Sequence, residues 1–391
     1  MISVSDALSQ IFALVAPLGT QTVPVDEAIG RVLAEPGVAQ ADQPPFASSA
    51  MDGYAVVSAR PGETLVVIGE AAAGARFDGV VAAGEAVRIF TGAPVPQGAT
   101  RIVIQEDVTR VGDRITLNEP LDPAAYIRPA GGDFQRGDTV TAPRVISPVD
   151  AALLAAMQQA SVSVRRRPEV ALIATGDELV APGERPGPDQ IVSTNSLALA
   201  GMIEAAGGIA RRLPIARDKM ESLDSVFALA AGADLIVTLG GASVGDHDLV
   251  RAAGATLGLE QSFYKVAMRP GKPLMAGTLD GVPVIGLPGN PVSAVVCAMV
   301  FVVPALRVML GFAPEPVHRV PLPLATAVPA NGPREHYMRA TLTSNGVVVE
   351  DRQDSSLLSV LARADALVVR PPRDPARAAG DLVDVIHLRS R

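Results

Sequence analysis

The chain has 391 residues, 48% of them hydrophobic, with a formal net charge of −8 and one cysteine. Its length predicts about two to four domains with sizeable cores, and the acidic balance argues against a general nucleic-acid binder. A lone cysteine excludes a disulfide framework and a cysteine-based metal site, and four histidines without a paired spacing speak against zinc.

The N-terminal "MISVSDALSQIFALV" lacks the basic start and small-residue cleavage site of a signal peptide. Ser3 and Asp6 stand at capping-box spacing ahead of an amphipathic helix. Short β-rich runs follow, such as "TLVVIGEAAAG" and "DRITLNEP", separated by Gly and Pro turns; they predict an antiparallel, barrel-like module over 46–135. A second helix near 149–160 predicts that 1–45 and 136–166 form an elongated segment flanking that module.

From 167 to 312 the rhythm changes. Strand-like "EVALIAT", "ARRLPI", "DLIVTLG" and "VPVIGLP" alternate with helical stretches starting near Thr194, Lys219, Asp246 and Pro291. That alternation predicts an α/β domain with a doubly wound, mostly parallel sheet. The most apolar stretch, Val292 to Leu306, falls short of the roughly 20 residues a membrane span needs and reads as a core helix. Prolines then break the pattern, and 313–391 reads as a smaller β-rich module. A soluble, cytoplasmic protein without a membrane partner is expected.

Ligands of open parallel sheets gather at the carboxyl ends of the strands, and three polar clusters fall there. In "ATGDEL", Asp177 and Glu178 are suited to Mg²⁺, a hard cation that prefers oxygen, although Asp177 serves equally as a turn cap. In "LGGASVGDHD", Asp246 reads as an N-cap and Asp248 as the better catalytic or metal-linked carboxylate. In "IGLPGNPVSA", Asn290 is a good N-cap and Pro291 a good first helical residue. Such a corner offers unpaired N–H groups and a helix's positive end to an anion. Nearby, "YKVAMRPGKP" concentrates Lys265, Arg269 and Lys272, a set suited to a phosphate or another oxyanion.

Competing motifs are few. No P-loop sequence and no glycine-rich dinucleotide fingerprint after the first strand occur. "GASVG" satisfies the nucleophile-elbow pattern and makes a serine hydrolase using Ser243 the rival, but the helix reads as starting near Asp246 rather than directly after the serine.

Seven stretches in order, "SSAMDGYAV", "RIFTGAPVPQGA", "IRPAGGDFQRGD", "ATGDEL", "LGGASVGDHD", "VAMRPGKP" and "GLPGNPVSA", resemble the molybdopterin molybdenumtransferase family, relatives of the C-terminal domain of gephyrin. The resemblance implies a four-part subunit ending in a C-terminal β-barrel, and a homodimer. It also implies insertion of molybdate into adenylylated molybdopterin with Mg²⁺ and release of AMP. By motif, Asp177, Glu178 and Asp52 would hold Mg²⁺ or position the anhydride, and Asp248 would lead as catalytic carboxylate with Asp52 and Glu178. Thr91, Asp218 and Ser243 would bind substrate, and Lys265 would serve the substrate phosphate. Ser293, Arg269, Lys272, Arg334 and Ser355 would bind molybdate; Arg269 stands where lysine is common and binds as a planar fork rather than a point charge. A transient contact with the upstream molybdopterin adenylyltransferase is a further implication. Adenylylation itself is the rival activity within the pathway, because that enzyme resembles the α/β domain alone.

Overall fold

The computed structural model describes residues 1–240 and 258–388. They divide into two compact units, one of Met1–Gln21 with Arg165 onward and one of Thr22–Val164.

The unit Thr22–Val164 carries a six-stranded sheet ordered Arg101–Ile104, Gly53–Val56, Glu85–Ile89, Thr64–Ala71, Arg114–Leu117, Val108–Val111. Its pairs are antiparallel except Thr64–Ala71 with Glu85–Ile89. Alternating side chains face opposite sides of a strand, so Tyr54, Val56 and Ile115 enter one core while Ala55, Val87 and Ile102 enter another. Beside it, the helix Pro148–Ala156 starts at a capping box made by Ser147 and Asp150. Its Leu154 packs with Leu33, Val140 and Val164 in a separate small core.

The first helix, Val4–Leu14, lies elsewhere than the flanking segment 1–45 predicted from sequence. The Ser3–Asp6 capping box forms as expected, but Val4, Ala7, Leu8 and Ile11 bury in the core of the α/β layer. Burying that apolar stripe decides the helix's place. Ile2 also pairs with Val266.

The α/β sheet runs Ile209–Arg212, Glu169–Ala174, Leu235–Leu239, Val282–Leu287, Met275–Leu279, Glu260–Tyr264. The first four strands pair in parallel and the last two pairings are antiparallel, so that Met275–Leu279 alone runs against the others. One face buries Leu172, Val237 and Ile285 with helices Asn195–Ala205 and Pro291–Met309; the other buries Ile173 and Ile236 with Met220–Ala228. Burial on both faces explains why these strands read as continuous apolar runs rather than alternating ones. The apolar stretch Pro291–Met309 is a core helix, 78% of its most hydrophobic window being buried. It passes through a π turn at Ala298–Val302 just ahead of Pro304, whose missing N–H disrupts the regular ladder.

The C-terminal strands form a sheet ordered Met268–Arg269, Glu335–Thr343, Ala366–Arg370, Leu382–His387, Val320–Pro323, with Gly346–Val349 also on Glu335–Thr343. The sheet curls as a half-barrel, its far ends linked by one bridge between Leu324 and Val347. Its edge strand Met268–Arg269 comes from the α/β segment. Cations of the "YKVAMRPGKP" loop are thereby delivered to the C-terminal module.

Candidate functional site

A cleft of about 530 Å³ opens at the carboxyl ends of the parallel strands. On one side the chain leaves Glu169–Ala174 through Thr175 and Gly176, where Gly176 has φ +146°. A Cβ at Gly176 would overlap the Glu178 carboxylate; the glycine is the space in which that carboxylate rests. Arg217 pins the turn: its Nη1 donates to the carbonyls of Asp177 at 3.1 Å and Leu179 at 2.9 Å, and to Gly176 at 3.4 Å. Asp177 Oδ1 accepts the Asp218 N–H at 3.2 Å. Glu178 and Asp218 line the cleft, whereas Asp177 stands just behind and spends one oxygen on the Asp218 backbone. Lys219 is the N-cap of the next helix, which leaves the Asp218 carboxylate uncommitted to capping.

Opposite lies the proline-rich corner, with Pro288, Gly289, Asn290, Pro291 and buried Ser293 in the wall. Here the sequence expectation needs correction. Asn290 occupies the N-cap position without a capping hydrogen bond; its Nδ2 donates instead to Ser355 Oγ at 3.0 Å. The Val292 N–H donates to Ser355 O at 3.2 Å. The corner therefore offers fewer free N–H groups than its sequence implies, because a C-terminal loop has docked on it. From the other flank, Asn195 Nδ2 donates to Gly289 O at 2.7 Å.

The cationic loop is a folded-back excursion. Lys265 N–H bonds Leu274 O and Val266 N–H bonds Lys272 O, so Lys265 and Lys272 stand side by side at its base. Lys272 precedes Pro273 of the cleft wall. Lys265 takes φ +72° and lays its ammonium 4.9 Å from the Tyr264 ring. At the tip, Arg269 pairs with His336 in register, and Arg334 Nη1 donates to Met268 O at 3.3 Å. Burial first, then the charges of Arg269, Arg339, Arg334 and Arg370, push the His336 imidazole down to about 4, so it is neutral at physiological pH.

In the unit Thr22–Val164, Asp52 and Thr91 meet each other. Asp52 Oδ1 accepts the Thr91 N–H at 2.8 Å and its hydroxyl at 2.7 Å, and these two bonds, the backbone one foremost, hold the Asp52 carboxyl below its usual range. Ser243 and Asp248 lie outside the described residues, as does the expected helix near Asp246. Among the described residues no group of three or more metal-binding side chains occurs.

Of the sequence candidates, the cleft wall thus takes Glu178, Asp218 and Ser293, with Asp177, Lys272 and Ser355 adjoining it. Asn195, Arg217 and Arg339 were missed. Asn195 was legible as the start of a helix, but its bond to Gly289 spans 94 positions, a relation that no local pattern encodes.

Comparison with known proteins covers nearly the whole chain. The family model described as the MoeA N-terminal region (domain I and II) matches residues 2–157. A probable molybdopterin binding domain matches 171–308, and the MoeA C-terminal region (domain IV) matches 321–388. A molybdopterin molybdenumtransferase of Nostoc sp. is 34% identical, covering 99% of this chain and 94% of its own. Molybdopterin molybdenumtransferase 2 of Mycobacterium tuberculosis is 36% identical over 94% and 95% of the two chains. The crystal structure of a molybdopterin biosynthesis moeA protein from Pyrococcus horikoshii superposes with a TM-score of 0.86 at 30% identity, covering 100% of both chains.

Proposed function

The chain belongs to the molybdopterin molybdenumtransferase family, and from that premise we propose that its strand-end cleft receives adenylylated molybdopterin on the carboxylate side and molybdate on the cationic side. The enzyme is a transferase of molybdenum cofactor biosynthesis. The observation that carries the assignment of the cleft is convergence: Glu178 and Asp218, from two strand-end loops, and Ser293, from the first turn of the helix Pro291–Met309, line one space of about 530 Å³ at the carboxyl edge of the sheet.

Molybdate is a tetrahedral dianion. Lys272, Arg269 and Arg334 supply positive charge and Ser293 and Ser355 hydroxyl donors, with Arg269 adding a planar fork. Lys265 serves the substrate's terminal phosphate. Glu178 and Asp218 face the opposite side, and Asp248 is the leading catalytic carboxylate. Within the unit Thr22–Val164, Thr91 and Asp52 are bonded to each other, the Asp52 charge being stabilised by two donors; with Ser243 they are assigned to substrate binding.

The donor chemistry fits Mg²⁺, which keeps several waters and takes one or two carboxylates together with substrate phosphates. Glu178 and Asp218 supply that number of hard oxygens in the cleft, and Asp177 adjoins them through the Asp218 backbone. When bound there, Mg²⁺ would draw charge from the anhydride oxygens.

A C-terminal barrel is supported by the Leu324–Val347 bridge between the sheet's ends. For the homodimer, the support is a set of exposed apolar side chains, Ile29, Val145 and Val149, on paired segments of one unit; such exposure favours a protein partner. Cytoplasmic placement and a handover from the adenylyltransferase complete the reading. Matches on both sides of the α/β domain favour insertion over adenylylation. The deciding experiment follows the nucleotide: AMP is released from adenylylated molybdopterin only when molybdate is present. Pyrophosphate release from ATP would overturn the assignment.

A further inference from the structure

Arg339 is among the largest side chains fully buried in the protein, at 2% exposure. Among the described residues no carboxylate pairs with it directly. Its guanidinium is satisfied by three neutral oxygens of a single loop: Nε donates to Gln353 Oε1 at 3.1 Å, Nη1 to Asp354 O at 2.8 Å, and Nη2 to Arg352 O at 3.2 Å. The Gln353 amide answers by donating to Arg339 O at 2.9 Å and Glu350 O at 2.8 Å. A buried cation without an ion pair costs more than an apolar side chain of similar volume would, so its retention calls for a return elsewhere.

That return lies one residue further along the loop. Ser355 follows Asp354 and makes both contacts to the proline-rich corner, its hydroxyl accepting from Asn290 and its carbonyl from the Val292 N–H. Asp354 in turn accepts the Ser356 hydroxyl and N–H, which closes the turn around Ser355. The same arginine acts electrostatically on Arg269 and His336, keeping positive potential at the oxyanion side.

We propose that Arg339 is a positioning residue for molybdate use: it clamps the 352–355 loop so that Ser355 is docked against the Asn290 corner of the cleft. This rests on the reading of Ser355, Lys272 and Arg269 as the molybdate side. Arg339 touches no substrate. Its fork fixes three acceptors at once, which a lysine's single ammonium on a flexible stem does not reproduce.

The test uses the full-length enzyme with adenylylated molybdopterin and molybdate, comparing Arg339→Lys, Ser355→Ala and the double variant. Arg339→Lys keeps the charge and should raise the apparent KM for molybdate about tenfold, the scale of losing charged hydrogen bonds. The KM for the nucleotide substrate and kcat at saturating molybdate should stay within about twofold. In the Ser355→Ala background the same change should add little, since residues acting as one unit are non-additive. Gln353→Ala, which leaves Arg339 in place and removes one clasp, should give a smaller change of the same kind. Equal losses for both substrates, or full additivity of the double variant, would overturn the inference. Ser355→Ala and Lys272→Ala both leaving the molybdate KM unmoved would instead sink the underlying assignment, whatever Arg339→Lys does.

Discussion

On the carboxylate side of the cleft, the groups that would meet a ligand stand free while the backbone beneath them is tied: Arg217 holds the carbonyls around Asp177, and among the described residues the Glu178 carboxylate has no hydrogen-bond or ion-pair partner. On the cationic side the tie is a buried arginine, and the groups it presents are already engaged, Ser355 with Asn290 and Arg334 with Met268 O. On the proposed assignment, the difference follows from what each side would hold. Carboxylates meeting a hydrated cation or a proton gain from freedom to adjust, whereas a small dianion with few contacts needs donors fixed beforehand, since every donor not yet oriented must be ordered on binding.

Three perturbations probe this contrast, in decreasing order of their effect on turnover. Glu178→Gln removes a charge and a proton acceptor but keeps the shape. Turnover should fall by about two to three orders of magnitude, the range for a lost acid–base or charge-stabilising group, with molybdate KM little changed in steady-state assays. Retained turnover would mean that the free carboxylate side is not where the chemistry occurs.

Gly176→Ala attacks the same side through the backbone. It places a methyl where the Glu178 carboxylate lies, at a φ that L residues rarely adopt. Turnover should drop about tenfold to a hundredfold through misplacement, accompanied by about 1–3 kcal/mol of lost stability. Denaturant titration beside kinetics separates the two losses. An alanine variant with full turnover would show that the Glu178 position is immaterial.

The smallest effect concerns the cationic side and is read in stability alone. His336 has a folded value of about 4 against the ordinary 6.5, so as pH falls through that window the unfolded chain takes a proton that the native site refuses. Stability should fall between pH 6.5 and 4, by up to about 3 kcal/mol from this group. His336→Gln should flatten that slope in thermal unfolding followed across pH. An unchanged slope would mean that neither burial nor the neighbouring arginines hold His336 below its ordinary value.

Much of this molecule was legible along the chain. The change from β-rich to alternating texture near residue 167 located the parallel sheet, because two-sided burial forces apolar runs that loops must interrupt. The same runs end where the carboxylates and the proline-rich corner begin, so "ATGDEL" and "GLPGNPVSA" fell on one rim. Capping chemistry at Ser3 acts over three residues and was equally readable.

Other features required the folded chain. The first helix joins the α/β core because its apolar stripe fits there, a choice that its own periodicity leaves open. Arg217 reaches back about 40 positions to hold the acidic turn, and Arg339 with Ser355 closes a corner that local capping rules assigned to Asn290 alone. Sequence determines which segments become strands, helices and turns, since those preferences act over a few residues. Which side chain finishes a site is decided only when distant segments pack, because a buried donor takes whichever acceptor the tertiary fold brings to it.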